Sequence, residues 1–126
     1  MFRIRREQLD WFGEKTKREF VAKISAWLRD AYPECVGDLS SSALEKWVGA
    51  CVEKAEHYRV VMEPDVAQLI LLFMILGIEA DADLPWVKET LENRDLEGIG
   101  KVRRLIASAR QNQIQGIESI VLESSL

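Results

Sequence analysis

Apolar positions recur every three or four residues along most of the chain, the spacing of helices that bury one face. In a first stretch, about 5–31, Leu9, Phe12, Phe20, Ile24, Trp27, Leu28 and Ala31 share a stripe that Thr16 completes. Arg6, Glu7, Glu14, Lys15, Lys17, Arg18 and Lys23 fall on the other side. Tyr32-Pro33 ends this helix, because a residue before proline disfavours the α region. A second stretch runs to about residue 58, with Leu44, Trp47, Val48, Cys51, Ala55 and Tyr58 in phase. Ser40, Ser41 and Ser42 are its candidate N-caps, and Ser42 with Glu45 has capping-box spacing. A third stretch, about 64–76, is apolar almost all round, so other helices should surround it. Pro64 suits its first turn, Glu63 and Asp65 suit the helix dipole, and Gly77 is placed to end it.

The later chain is punctuated more heavily. Residues 79–83 read as an acidic loop, and Pro85 starts a fourth helix that should reach about Asn93. Residues 95–100 hold Gly98 and Gly100 and predict a turn. A fifth helix follows over about 101–112, with Val102, Leu105, Ile106 and Ala109 on one face. Beyond Gln111, Ile114, Ile117, Ile120, Val121 and Leu122 fit a helical stripe or a short strand. The predicted fold is all-α, a compact bundle of about five helices around the central apolar helix at about 64–76. The expected organisation is a single helical domain over 1–110 and a C-terminal extension over 111–126.

Composition narrows the function more than the fold. The chain has 126 residues, enough for one domain with a real core and no disulfides or metals. Its 7 Gly and 3 Pro are too few for the turns of an all-β meander. The two cysteines, Cys35 and Cys51, and one histidine, His57, form no zinc spacing. No metal or cofactor is expected. Cys51 reads as a core residue, Cys35 as a loop neighbour, and His57 as an incidental residue in a helix's last turn. The longest apolar run, 69–78, spans roughly 15 Å as a helix and is too short for a bilayer. No secretory leader is read at the N-terminus, so the expected location is the cytoplasm.

Charge is distributed unevenly. The net charge is −4. Residues 1–30 carry eight Lys/Arg against five Asp/Glu, residues 61–97 carry two against nine, and residues 98–126 four against two. The acidic middle is either complementary to basic helices of the same chain or a steering surface for a basic partner. Alternating signs along the first helix and the acidic balance argue against nucleic acid. Glu79, Asp81 and Asp83 alternate like the start of a calcium loop. However, Leu84 stands where that loop needs glycine, and Thr90 where it needs glutamate. An aromatic ringed by charge is the usual composition of a binding hot spot. Asp81, Asp83, Trp86, Glu89 and Glu92 are therefore the candidate partner-binding residues. Ile117 and Val121 are candidate oligomer contacts in the tail.

Several short words recur together: Ile4-Arg5, Gln8-Leu9, Phe20, Trp27-Leu28-Arg29, Tyr32-Pro33, Ala55-Glu56-His57-Tyr58, Glu63, Asp65-Val66, Leu76-Gly77, Asp83-Leu84-Pro85-Trp86 and Arg104-Leu105. In these the chain resembles, over about 1–110, a group of short helical bacterial proteins of unknown activity. Such proteins are often encoded beside type VI secretion components and their toxic effectors. The resemblance implies a cytoplasmic protein-binding partner of a secreted antibacterial effector, acting by stoichiometric binding as immunity protein or adaptor/chaperone, and not an enzyme. It supplies no catalytic residue. The alternative is a structural or assembly subunit of a secretion apparatus, associating through its apolar tail.

Overall fold

A computed structural model of the protein describes residues 13–117. Seven helices follow one another: α1 (Gly13–Ala31), α2 (Pro33–Val36), α3 (Ser41–His57), α4 (Glu63–Leu76), α5 (Ala80–Asp83), α6 (Pro85–Glu92) and α7 (Gly98–Gln111). There is no strand among the described residues, and the fold is all-α. The part of the expected first helix before Gly13, with Leu9 and Phe12, lies outside the described residues.

The apolar stripes become the core. Phe20, Ile24 and Leu28 of α1 are buried, as are Leu44, Val48, Cys51, Val52 and Ala55 of α3. Ala31, counted with the first stripe, is exposed because α1 ends there. α4 is the central element: every residue from Val66 to Phe73 except Gln68 is buried. Each large side chain so buried contributes about 1.5–3 kcal/mol. α4 packs on α3 and α7, α3 packs on α1, and α6 packs on both α5 and α7. Lys17 near the start of α1 meets Glu56 near the end of α3, at 2.7 Å. Arg29, near the end of α1, donates to Leu39 O just before α3, at 2.8 Å. The two helices therefore run antiparallel.

The ends of the helices depart from the sequence reading in informative ways. Pro33 does stop α1, but it also starts a four-residue helix in what was expected to be a loop. The cap of α3 is Ser40, whose Oγ accepts from Ala43 N at 3.0 Å; Ser42 and Glu45 form no capping box. The expected turn at 95–100 is shorter, since α7 already begins at Gly98. A side chain at Gly98 would meet the Val60 backbone at 3.4 Å, so glycine there allows a close approach.

α3 and α7 end alike. Val60 N donates to Ala55 O and Arg59 N to Glu56 O, while Arg59 takes φ 62°. Ile114 N donates to Ala109 O and Gln113 N to Arg110 O, with Gln113 at φ 55°. Both are Schellman motifs, which usually place glycine where Arg59 and Gln113 stand. The apolar residue after each turn, Val60 and Ile114, folds back onto the core. Left-handed backbone costs a non-glycine residue about 1–2 kcal/mol. Arg59→Gly is accordingly expected to stabilise the protein by about 0.5–1 kcal/mol despite the greater freedom of the unfolded chain. A calorimetric melting temperature a few degrees higher is the expected result; a lower one contradicts this account of the α3 terminus.

The second motif corrects the expectation for the tail. After Gln113 the chain turns back, with Gly116 at φ 91° and only 3.6 Å between a notional Cβ there and Ile75. Ile117 is 4% exposed and belongs to the core of its own chain. It is therefore withdrawn as an oligomer contact, and residues 111–117 are part of the domain. Val121 lies outside the described residues.

Candidate functional site

The acidic segment is built by two helix boundaries. At the end of α4, Gly77 takes φ 98° and ψ 148°, a conformation essentially reserved for glycine, and turns the chain out of the core. The segment expected as a loop is then wound into α5, which is only four residues long. Leu84-Pro85 breaks the helix and restarts it as α6. Thr90, buried in α6, donates its hydroxyl back to Trp86 O at 2.8 Å.

α5 is held from α3. Lys54 and Tyr58, four residues apart, share a face of α3 and converge on Asp81. Lys54 Nζ donates to Asp81 Oδ1 at 2.7 Å and also to Ile78 O, and Tyr58 OH donates to Asp81 Oδ2 at 2.6 Å. Lys54 Nζ also lies 3.8 Å from Glu79 and 5.7 Å from the centre of the Phe73 ring. Burial alone would raise the Asp81 pKa, but the bonds from Lys54 and Tyr58 outweigh it and hold the carboxyl below its ordinary 3.8. The Tyr58 phenol is pushed up by burial first, then by its bond to Asp81 and that carboxylate's charge.

Asp81 is thus a structural residue. Its side chain is only 13% exposed, and both carboxylate oxygens are bonded within the chain. It is removed from the candidate partner-binding set. The same applies to much of the acidic middle. Glu63 is buried with Lys23 of α1 3.7 Å away, and Asp65 is buried beside Gly98. Part of the charge asymmetry therefore joins helices of one chain.

The remainder faces outward. Asp83 and Glu89 are exposed, and their side chains make no hydrogen bond or ion pair with another described residue. Glu92 is exposed, with Lys88 of its own helix 3.9 Å away. Trp86 is half-buried and packs against the core. Asp83, Trp86, Glu89 and Glu92 are thus carried on the consecutive helices α5 and α6, with Glu79 exposed just before α5. Asp95 and Glu97, also exposed, extend the acidic character toward α7.

The other residues singled out from the sequence are dispersed. His57 is exposed at the end of α3, its ring edge-on to Tyr58. Cys35 is exposed in α2. Cys51 is buried, which with only partial relief from Lys54 pushes its thiol up to about 12. Trp27 and Trp47 are half-buried against the core. No group of three metal-ligating side chains occurs among the described residues. No described helix is long and apolar enough to cross a membrane.

One feature had no counterpart in the sequence reading. An open groove of about 550 Å³ lies between α1 and α3, lined by Lys17, Arg18, Glu45, Lys46, Gly49 and Glu53 among others. A Cβ on Gly49 would meet nothing within 4 Å. Gly49→Ala is thus expected to stabilise α3 by about 0.5–1 kcal/mol, the ordinary helix-interior gain. Chemical denaturation should show a higher midpoint at unchanged slope; a lower midpoint would mean that the helix is strained there.

No family model, no curated protein and no solved structure matches this chain.

Proposed function

We propose that this protein works by stoichiometric binding of another protein, and that Asp83, Trp86, Glu89 and Glu92 on α5 and α6 form the docking face. The observation that carries the reading is the outward set itself. Asp83 and Glu89 are exposed carboxylates without described partners, on either side of a tryptophan anchored in the core. An aromatic held rigidly from below loses little freedom on binding, and surrounding charge selects the partner and speeds encounter. The complementary surface is basic and offers an apolar recess for the indole edge. The family resemblance supplies the class of partner: a secreted antibacterial effector, held in the bacterial cytoplasm as by an immunity protein or an adaptor. Binding, not catalysis, is the proposed work.

The test is capture, by the tagged chain, of a toxic effector encoded in its gene's neighbourhood, if one is found there, with rescue from that effector's toxicity as a second readout. Asp83→Lys/Glu89→Lys should abolish capture while leaving the melting temperature within about 2 °C, because neither side chain supports the fold. Capture that survives the double reversal contradicts the placement of the face. Capture without rescue assigns the protein to delivery instead of inhibition.

A further inference from the structure

The exposed side of α7 is basic, whereas α5 and α6 together expose more acidic than basic side chains. All charged residues of α7 are basic: Lys101, Arg103, Arg104 and Arg110. Lys101 points inward, with Val102, Leu105, Ile106 and Ala109, and is buried. Arg103, Arg104 and Arg110 are exposed, and Ala107 is exposed between them. The side chains of Arg103 and Arg104 make no hydrogen bond or ion pair with another described residue. α6 packs on α7, yet no ion pair among the described residues joins the two helices. The chain therefore carries unpaired guanidinium groups at Arg103 and Arg104 of α7, and unpaired carboxylates at Asp83 of α5 and Glu89 of α6.

We propose that α7 is a docking surface for a second copy of this chain, its Arg103 and Arg104 meeting Asp83 and Glu89 of that copy. Because α5 packs on α6 and α6 on α7, a two-fold axis beside them would form both contacts at once, α5 and α6 of each copy against α7 of the other. Charge complementarity favours this occupant: the exposed carboxylates Asp83 and Glu89 are already on the same molecule. The contact is polar and has little apolar area, so the association is weak, reversible and screened by salt. It rests on the two charged faces and is independent of the effector reading, although pairing would compete with a partner for α6.

Sedimentation equilibrium of the full chain tests it. A dimer is expected at about 50 mM salt, with its dissociation constant rising at least about tenfold by about 500 mM. Arg103→Glu/Arg104→Glu and Asp83→Lys/Glu89→Lys should each be monomeric, with melting temperatures near that of the parent. An equal mixture of the two should recover a dimer, since the all-basic chain then faces the all-acidic one. A parent chain that stays monomeric at low salt overturns the proposal. If that monomer retains a short DNA duplex through Arg103 and Arg104, the face belongs to nucleic acid. A dimer that survives either double reversal also overturns it.

Discussion

Asp81→Lys is expected to lower the melting temperature by about 10 °C, whereas Asp83→Lys, two residues along, shifts it by no more than about 2 °C. The two aspartates are alike in sequence but not in place. Asp83 is exposed and unpaired among the described residues. Asp81 accepts from Lys54 and from Tyr58, with both partners largely shielded from solvent. Removing one side of a shielded ion pair leaves the other charge without compensation, at a cost of about 2–4 kcal/mol for a partly buried pair. Lysine at 81 adds like-charge repulsion against Lys54. The loss should be local first, because α5 is short and Asp81 is its polar tie to α3. Hydrogen exchange at 80–84 should therefore quicken in the variant before the core opens.

The pH dependence has a definite sign. The folded-state pKa of Asp81 is depressed below the ordinary 3.8. Its contribution is thus fully present above the unfolded value and is lost as pH falls through the folded value. Asp81→Asn removes the titration. The stability difference between parent and Asp81→Asn should be constant near neutrality and shrink only in the acid range below about pH 4. A difference that already shrinks between pH 5 and 7 would show that another group is responsible.

Lys101→Ala is expected to cost about 2–4 kcal/mol, while Lys101→Met costs less than about 1.5 kcal/mol. Lys101 is 3% exposed, and its Nζ donates to Tyr58 O at 2.6 Å. That carbonyl lies at the end of α3, where helix carbonyls lack intrahelical donors and the dipole favours a cation. Burial first, and then nearby Arg59, lowers the Lys101 pKa. The ammonium therefore both caps the helix and carries a desolvation cost. Methionine keeps the stem and removes both effects, so they largely cancel. Alanine removes the stem as well and leaves a cavity among Val102, Leu105 and their neighbours. Urea unfolding of both variants measures this. Equal losses for alanine and methionine would mean that the charge, not the packing, holds α7 to α3.

Much of this architecture is written locally. The stripes Phe20-Ile24-Leu28 and Leu44-Val48-Cys51-Ala55, and the continuous run of α4, are periodic patterns that need no tertiary information. Pro64 and Pro85 mark starts for a steric reason carried by the residue itself. What was not legible depends on distant partners. Lys54 and Asp81 are 27 residues apart, and a charge count gives the sum of the acidic middle but not the destination of each carboxylate. Arg59 and Gln113 adopt left-handed turns without glycine, so nothing in the local sequence marks them. Ile117 is buried after a turn in which Gly116 lies close to Ile75 near the end of α4, which no periodicity within the tail encodes. The candidate site is a region, 79–92, that the charge pattern marks. Its division into an inward Asp81 and an outward Asp83, Glu89 and Glu92 required the fold.

The proposed docking face is tested most directly by hydrogen exchange on the chain in complex with any effector it captures, compared with the free chain. The expected result is protection concentrated in residues 79–92, around Trp86, with the α1–α3 groove unchanged. Protection of the groove residues with 79–92 exchanging as in the free chain would contradict the account.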